Sequence, residues 1–431
     1  MRTRHRQVIR RDGGQALVFL LVWLAALAGV FVMVWDSGRA AAQKQQMLNV
    51  ADAAAYSAAV LQARALNFTA YTNRALVAND AAFAQSVSLA SWSDHMNRQL
   101  PRLAVLTHWL PYLGAATSTL QRFWRGYDGT LQAATAAAEA QLALANGRLV
   151  AAQQFMQAAA LVALRPSITE SIDLNSTARE SPARLSQGGE LLVAQAAARI
   201  GAFSTRYAGP QRSRQRDVVL AARDGFSRRR NQRLGSGLAG SVFRFEKRGG
   251  TELVNFETWR GIDTHSLHLR QGVLFGSLRE RVVISWGAAS SGAASGAIVR
   301  GRGLYGDSHR INPRASAQAS RILRRRALYR GLPAMHDLSE AMRRDYATPR
   351  IALRIAAPQW QGLRDRARSE PFYADAAAEI RFQRPLPRRD GLRELPSLYA
   401  PFWKAALAPV SRSERMVGAL ADGAAASLAL P

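Results

Sequence analysis

The feature that most constrains this chain is a run of twenty residues without a charge, ALVFLLVWLAALAGVFVMVW at positions 16–35. Coiled as an α-helix it is about 30 Å long, the thickness of a bilayer's hydrocarbon core. A helix that is apolar on every face belongs inside a large core or across a membrane, and this length predicts a span. Its flanks orient it. Arg2, Arg4, Arg6, Arg10 and Arg11 precede it against Asp12 alone, whereas beyond it Arg39 and Lys44 are balanced by Asp36 and Asp52. Basic residues hold a flank in the cytoplasm, so residues 1–14 are expected inside and residues 36–431 outside. A cleaved secretory signal would carry a shorter core of about 7–15 apolar residues, though Ala40, Ala41 and Ala42 offer a small-residue site. With no cysteine in the chain, lipid acylation is excluded and no disulfide can staple the outer body.

Packing alone must therefore hold that body, and 48% hydrophobic residues in 431 are ample for it. The formal net charge is +28, and only Lys44, Lys247 and Lys404 among the 58 basic residues are lysine. Such a field attracts anionic headgroups, acidic envelope polymers or nucleic acid. No aromatic-studded reading motif accompanies it, so nucleic acid is not expected as a partner, and the simpler account is an arginine-decorated surface.

Beyond the span, residues 40–100 hold no proline and no glycine and are rich in alanine, the best helix former. A seven-residue register runs through Met47, Ala54, Leu61, Phe68, Ala75, Ala82 and Leu89, with Ala51, Ala58, Ala65 and Thr72 beside it. That is a seam suited to close helix pairing and to homo-oligomers. Pro101 and Pro111 should end this helix. A second is expected over residues 130–164, with Leu142, Leu149 and Met156 interleaved with Ala138, Ala145 and Ala152. It would return antiparallel, residues 101–129 serving as the connection and Pro166 as the stop. A shorter helix is expected at 190–203. The densest charge run, residues 211–233, reads as a solvated linker or as a docking strip for an anionic partner, with Arg228, Arg229 and Arg230 at its centre.

After Gly235 the period becomes alternating. The segments 242–246 and 253–257 flank Arg248-Gly249-Gly250-Thr251, a hairpin expectation. Further strands are expected at 282–286, 351–355 and 378–382, a flexible loop at 287–296 and a helix over 315–330. The fold class is thus a single-span membrane protein with a long N-terminal helical stalk or bundle and an extracytoplasmic α+β module. Its divisions are a tail (1–14), span (15–35), helical stalk (36–205), basic linker (206–237), α+β module (238–400) and helical tail (401–431).

Little catalytic chemistry is legible. Asp263, His265 and His268 form the one metal-like grouping, and three residues along a strand put the two rings on opposite faces. No phosphate loop, nucleophile elbow or His-Glu-x-x-His occurs. No reaction, cofactor or metal is expected.

The order of motifs carries a resemblance. Gly14-Gln15-Ala16-Leu17 opens the span, Asp36-Ser37-Gly38-Arg39 closes it, and Leu48-Asn49-Val50-Ala51-Asp52-Ala53-Ala54-Ala55 follows. This resembles the TadE/TadG-like family, single-span proteins of the tight-adherence (Flp-type) pilus assembly apparatus. The continuation ALNFTAYTNRALVANDAAFAQ, residues 65–85, is similar to the longer TadG-related members. The resemblance implies a scaffold in the bacterial inner membrane whose partners are other assembly proteins and the bilayer. Candidate assembly contacts are Gly29, Asp36, Arg39, Asn49 and Asp52. Prepilin-like cleavage after Gly14 would leave Gln15 as the new terminus, but Phe19 stands where such substrates carry glutamate. The Asp-x-Ser-x-Ser adhesion site of some relatives is missing. The alternative function is a membrane-tethered binder of anionic polymer or DNA.

Overall fold

The computed structural model describes residues 13–176, 183–234, 243–271, 280–294, 313–321, 324–326, 329–345, 348–358, 371–392 and 394–428. The five tail arginines, Gly235 and part of the 287–296 and 315–330 expectations lie outside them. Helix α1 (Gly13–Thr107) is 95 residues long, about 140 Å along its axis at the helical rise. It has three zones. Among the described residues nothing packs over residues 16–35, and this stretch, whose most apolar 18-residue window has a mean hydropathy of 2.9, is long and apolar enough to cross a membrane. Residues 36–46 form a neck without a buried side chain. From Met47 onward α1 becomes the axis on which the rest of the chain is built.

Alanine explains that role. Ala51, Ala54, Ala55, Ala58, Ala59 and Ala70 are fully buried, and their small side chains let neighbours approach from several sides at once. Residues 47–66 pack against α3 (Leu164–Asn175), α4 (Gln187–Phe203) and a sheet. Leu76, Phe83 and Val87 pack against a second sheet and the Tyr329–Met335 segment. The expected seam holds in part: Met47, Ala54 and the companion positions Ala51, Ala58, Ala65 and Thr72 are buried, but Leu61, Phe68, Ala75, Ala82 and Leu89 are only half-buried. A helix enclosed on several faces buries residues according to its neighbours, and a heptad pattern describes one neighbour only.

Helix α2 (Pro111–Val162) returns along α1. It starts well before the expected residue 130, because Pro111 occupies its first turn, where a missing N–H costs nothing. Pro101 lies inside α1 without ending it, and Pro166 falls in the first turn of α3 instead of stopping α2. The face of α2 toward α1 also differs from expectation. It buries Asp128, Gln132, Thr135, Glu139, Asn146 and Gln153, whereas Leu142 and Leu149 are half-buried and Ala138 is exposed.

The sheets dock on this mast. The first is antiparallel in the order β1-β9-β10-β11, from Arg184–Leu185, Arg350–Pro358, Pro371–Phe382 and Trp403–Ala408. A two-stranded ribbon pairs β2 (Ser204–Arg206) with β8 (His336–Leu338). The third sheet has the order β3-β4-β5-β6-β7, from Gln232–Leu234, Phe243–Val254, Thr258–Gln271, Glu280–Ala294 and Arg324–Arg326. Among the described residues only β6 and β7 pair in parallel. The remaining helices among the described residues are α5 (Ser213–Ala222), α6 (Gly225–Arg228), α7 (Pro313–Arg321), α8 (Glu340–Asp345) and α9 (Arg412–Leu428).

Four expectations in this half are corrected. Residues 248–251 are not a turn: β4 runs straight through them, and the reversal comes at Asn255 and Phe256, whose φ values are 45° and 68°. The glycines there serve close packing, since a Cβ on Gly249 would run into the Asp263 carboxylate. Gly287 to Ala294 continue β6 as buried strand, with Ala288, Ala289, Ser290, Ser291 and Ala293 in the interior. Small residues there let α1 and α7 lie close on the sheet. The basic stretch 211–233 is folded into α5, α6 and β3. Residues 403–408, expected in a helical tail, are the edge strand β11.

Strand β5 follows α1 residue by residue. Four helical residues rise about 6.0 Å and two strand residues about 6.7 Å, so the two elements stay in step over three contacts. Val87 meets Gly261, Ser91 donates to Asp263 Oδ2 at 2.7 Å, and His95 Nε2 lies 3.3 Å from His265 Nδ1. Glycine is required at 261, where a Cβ would stand 2.9 Å from the Ser91 Cβ.

Candidate functional site

The residues singled out for assembly lie where α1 leaves the apolar zone and enters the body. In the apolar zone a Cβ on Gly29 would meet nothing within 4 Å, so this chain's own packing does not demand glycine there. Gly14 and Gln15 lie in the first turn of α1. At the upper boundary Trp35 stacks on Phe31 with ring centroids 6.3 Å apart, and the Arg39 guanidinium lies 5.4 Å from the Trp35 centroid. This cation-over-ring contact sets a polar end on the apolar run. Asp36 is half-buried, and Ser37 donates back to the Met33 carbonyl at 2.7 Å.

About three turns further, Asn49 is exposed and its Oδ1 accepts from Gln45 Nε2 at 3.1 Å. Asp52 is half-buried among Ala51, Ala54 and Ala55, and burial pushes its carboxyl above the ordinary carboxylate value. The structure therefore strings these residues along one helix instead of gathering them into a pocket. Gly29 and Asp52 are joined by unbroken helical backbone.

The arginine strip divides. Arg228 and Arg229 are exposed, while Arg230 is buried in a bidentate pair with Asp263, Nε to Oδ1 and Nη2 to Oδ2 both at 3.0 Å. Arg230 also donates to the carbonyls of Phe226 and Gly250, at 3.1 and 3.0 Å. A guanidinium satisfied on so many sides is a core fixture, not a docking residue.

Sequence reasoning missed the polar clips on α1, although three lie in the quoted 65–85 stretch. Asn67 exchanges two hydrogen bonds with the Trp403 backbone, at 2.9 and 3.0 Å, as a neighbouring strand would. Asn73 Nδ2 donates to the carbonyls of His336 and Leu398, at 2.7 and 2.8 Å, and Asn73 Oδ1 accepts from Gln153 Nε2 at 2.7 Å. Asp80 is fully buried against Tyr329 and Trp259, and burial pushes its carboxyl up to about 8. The detectable signal was Asn67, Asn73 and Asp80 inside an alanine-rich helical run, where uncharged amides and a carboxylate have no role in a simple apolar seam.

His265 faces His95, and burial lowers both imidazoles, to about 4 and about 3. His268 sits against the Ser266 hydroxyl at 2.7 Å. Among the described residues no group of three or more histidines and carboxylates is placed to hold a metal.

A mast helix with one apolar stretch long enough for a single span, carrying helices and antiparallel sheets on its far part, is the architecture expected of a membrane-anchored protein. Residues 14–63 match the family model described as Putative Flp pilus-assembly TadE/G-like, so this segment is TadE/G-like and supports a role in pilus assembly. The matched segment covers the apolar zone, the neck and the first buried turns. Neither a curated protein nor a solved structure matches the chain.

Proposed function

We propose that this protein is a non-catalytic, inner-membrane component of a Tad/Flp-type pilus or secretion assembly, with its N-terminus in the cytoplasm and its body outside. It acts as a scaffold through helix-mediated contacts at and just beyond the membrane. The observation that carries the reading is that the TadE/G-like segment is one unbroken helix running from the apolar zone into the core. Small residues favour close helix contact in lipid, and Ala25, Ala26, Ala28 and Gly29 supply them. Reporter fusions after Gly235 are expected to be active only outside the cytoplasm.

The functional test is deletion of the gene, with surface fibres and adhesion counted, followed by complementation. Wild type restores both. Gly29→Leu and Asp52→Arg restore neither, while the outer body keeps wild-type protease resistance. Fibres and adhesion unchanged by deletion would sink the proposal. The competing reading, a tethered binder of anionic polymer or DNA, loses Arg230 from its strip to the core.

A further inference from the structure

Helix α2 is amphipathic in an unexpected sense. Toward α1 it turns Gln132, Glu139, Asn146 and Gln153. Toward solvent it turns Tyr112, Phe123, Phe155 and Val162, which are 91%, 66%, 74% and 77% exposed. These four are separated by eleven, thirty-two and seven residues, each close to a whole number of turns, so they line one face. A soluble helix that needed only α1 as its partner would bury that face.

The charge on this helix says what covers it. Between residues 101 and 163 the only carboxylates are Asp128 and Glu139, and both are buried. The exposed charges of α2 are Arg122, Arg125 and Arg148. We propose that the outer face of α2 is a docking strip for an elongated partner that presents an apolar helix flanked by carboxylates. This rests on the assembly reading and names the chemistry of its partner.

Two other occupants fit less well. A second copy of this chain would set arginine against arginine with no carboxylate to answer it. A bilayer is flat, and the strip runs alongside the membrane-crossing axis for about 75 Å; its nearer end lies beside Gln62, which bonds the Ala160 carbonyl, about 40 Å beyond Trp35, so lipid would reach neither end. A rod lying along the stalk meets its whole length.

The test uses the full chain in its native membrane. A photoreactive phenylalanine analogue replaces Phe123 or Phe155, with Tyr71 on α1 as the off-strip control. Irradiated cells are analysed by mass spectrometry of the adducts. The expected result is one acidic polypeptide crosslinked from both positions, absent from the control. Arg122→Glu, Arg125→Glu and Arg148→Glu together should cut that adduct at least fivefold, with protease resistance of the body unchanged. If the triple variant is cleaved faster, the Arg→Gln versions take its place and the same direction of loss is required.

Adducts to a second copy, to lipid alone or to nothing overturn the inference, as does an adduct indifferent to charge reversal. Gene deletion reports separately. Fibres lost on deletion with no α2 adduct reject the strip and keep the assembly role. An adduct with fibres intact on deletion does the reverse.

Discussion

At the scale of single residues, the most consequential placement is Arg230 against Asp263, side chains 2% and 0% exposed. Breaking one partner of such a pair strands a buried charge, at a cost of about 3–5 kcal/mol. Arg230→Met is expected to destabilise by that amount in denaturant unfolding of the purified protein, and adding Asp263→Asn should recover much of it. A single variant as stable as wild type would mean the pair is idle. Asp80 makes a second prediction, with a sign. Its carboxyl is raised to about 8 from 3.8 by burial, so the fold prefers the protonated form. That stability is fully present below about pH 4 and is lost as pH rises through about 8. His95 and His265 act oppositely: held neutral by burial, they give stability present above about pH 6.5 and lost as pH falls through their lowered values. Between about pH 6.5 and 8, above the histidine range and below the folded value of Asp80, Asp80 dominates, so wild-type Tm should fall across that window and level off beyond it, while Asp80→Asn stays level throughout. Parallel curves would show that Asp80 is already ionised.

At the scale of elements, the α1–α2 contact is held by amides more than by leucines. Gln153 Nε2 donates to Thr72 Oγ1 at 2.6 Å and to Asn73 Oδ1 at 2.7 Å, deep in the interface. Gln153→Leu is the same size but leaves those acceptors unmet, which costs about 1–3 kcal/mol. Phe155→Ala on the outer face should change stability by less than about 0.5 kcal/mol. Urea unfolding of the two variants compares them directly, and the reverse order would mean the outer face packs against the body. This also shows what was legible beforehand. The span, the helix beyond it and the strands at 282–286, 351–355 and 378–382 followed from run length, alanine content and alternation. The partner face of α2 did not, because leucines at heptad spacing outbid a polar ladder that only the α1 asparagines make sense of. The glycines of 248–251 misled in the same way: they mark close approach to a neighbouring side chain, which no local pattern contains. Among the candidate assembly contacts, Asp36, Arg39, Asn49 and Asp52 lie in the family-like motifs and Gly29 in a small-residue patch of the apolar run, and the structure adds that all five share one helix.

At the scale of the molecule, everything outside the apolar zone hangs on a neck of single helix. Residues 36–46 have no buried side chain, and they lift the first core residue, Met47, about 16 Å above Trp35's neighbour Asp36. A neck of this kind transmits rotation as well as distance, because each residue turns the body by about 100° relative to the span. If the span's Gly29 face and the body's α2 face engage one assembly together, their relative angle matters more than their separation. Two alanines inserted after Ala41 raise the body by about 3 Å and turn it by about 200°, whereas seven raise it by about 10 Å and turn it by only about 20° from its starting phase. In the deletion strain, the seven-residue insertion is expected to restore fibres to near wild-type numbers and the two-residue insertion to restore few. Membrane fractions and protease resistance should be the same for both, since neither insertion touches the core. Equal rescue by the two would show that the neck is a tether and the body acts without regard to the orientation of its anchor. Rescue by the shorter insertion alone would make separation, not angle, the quantity the mast conveys.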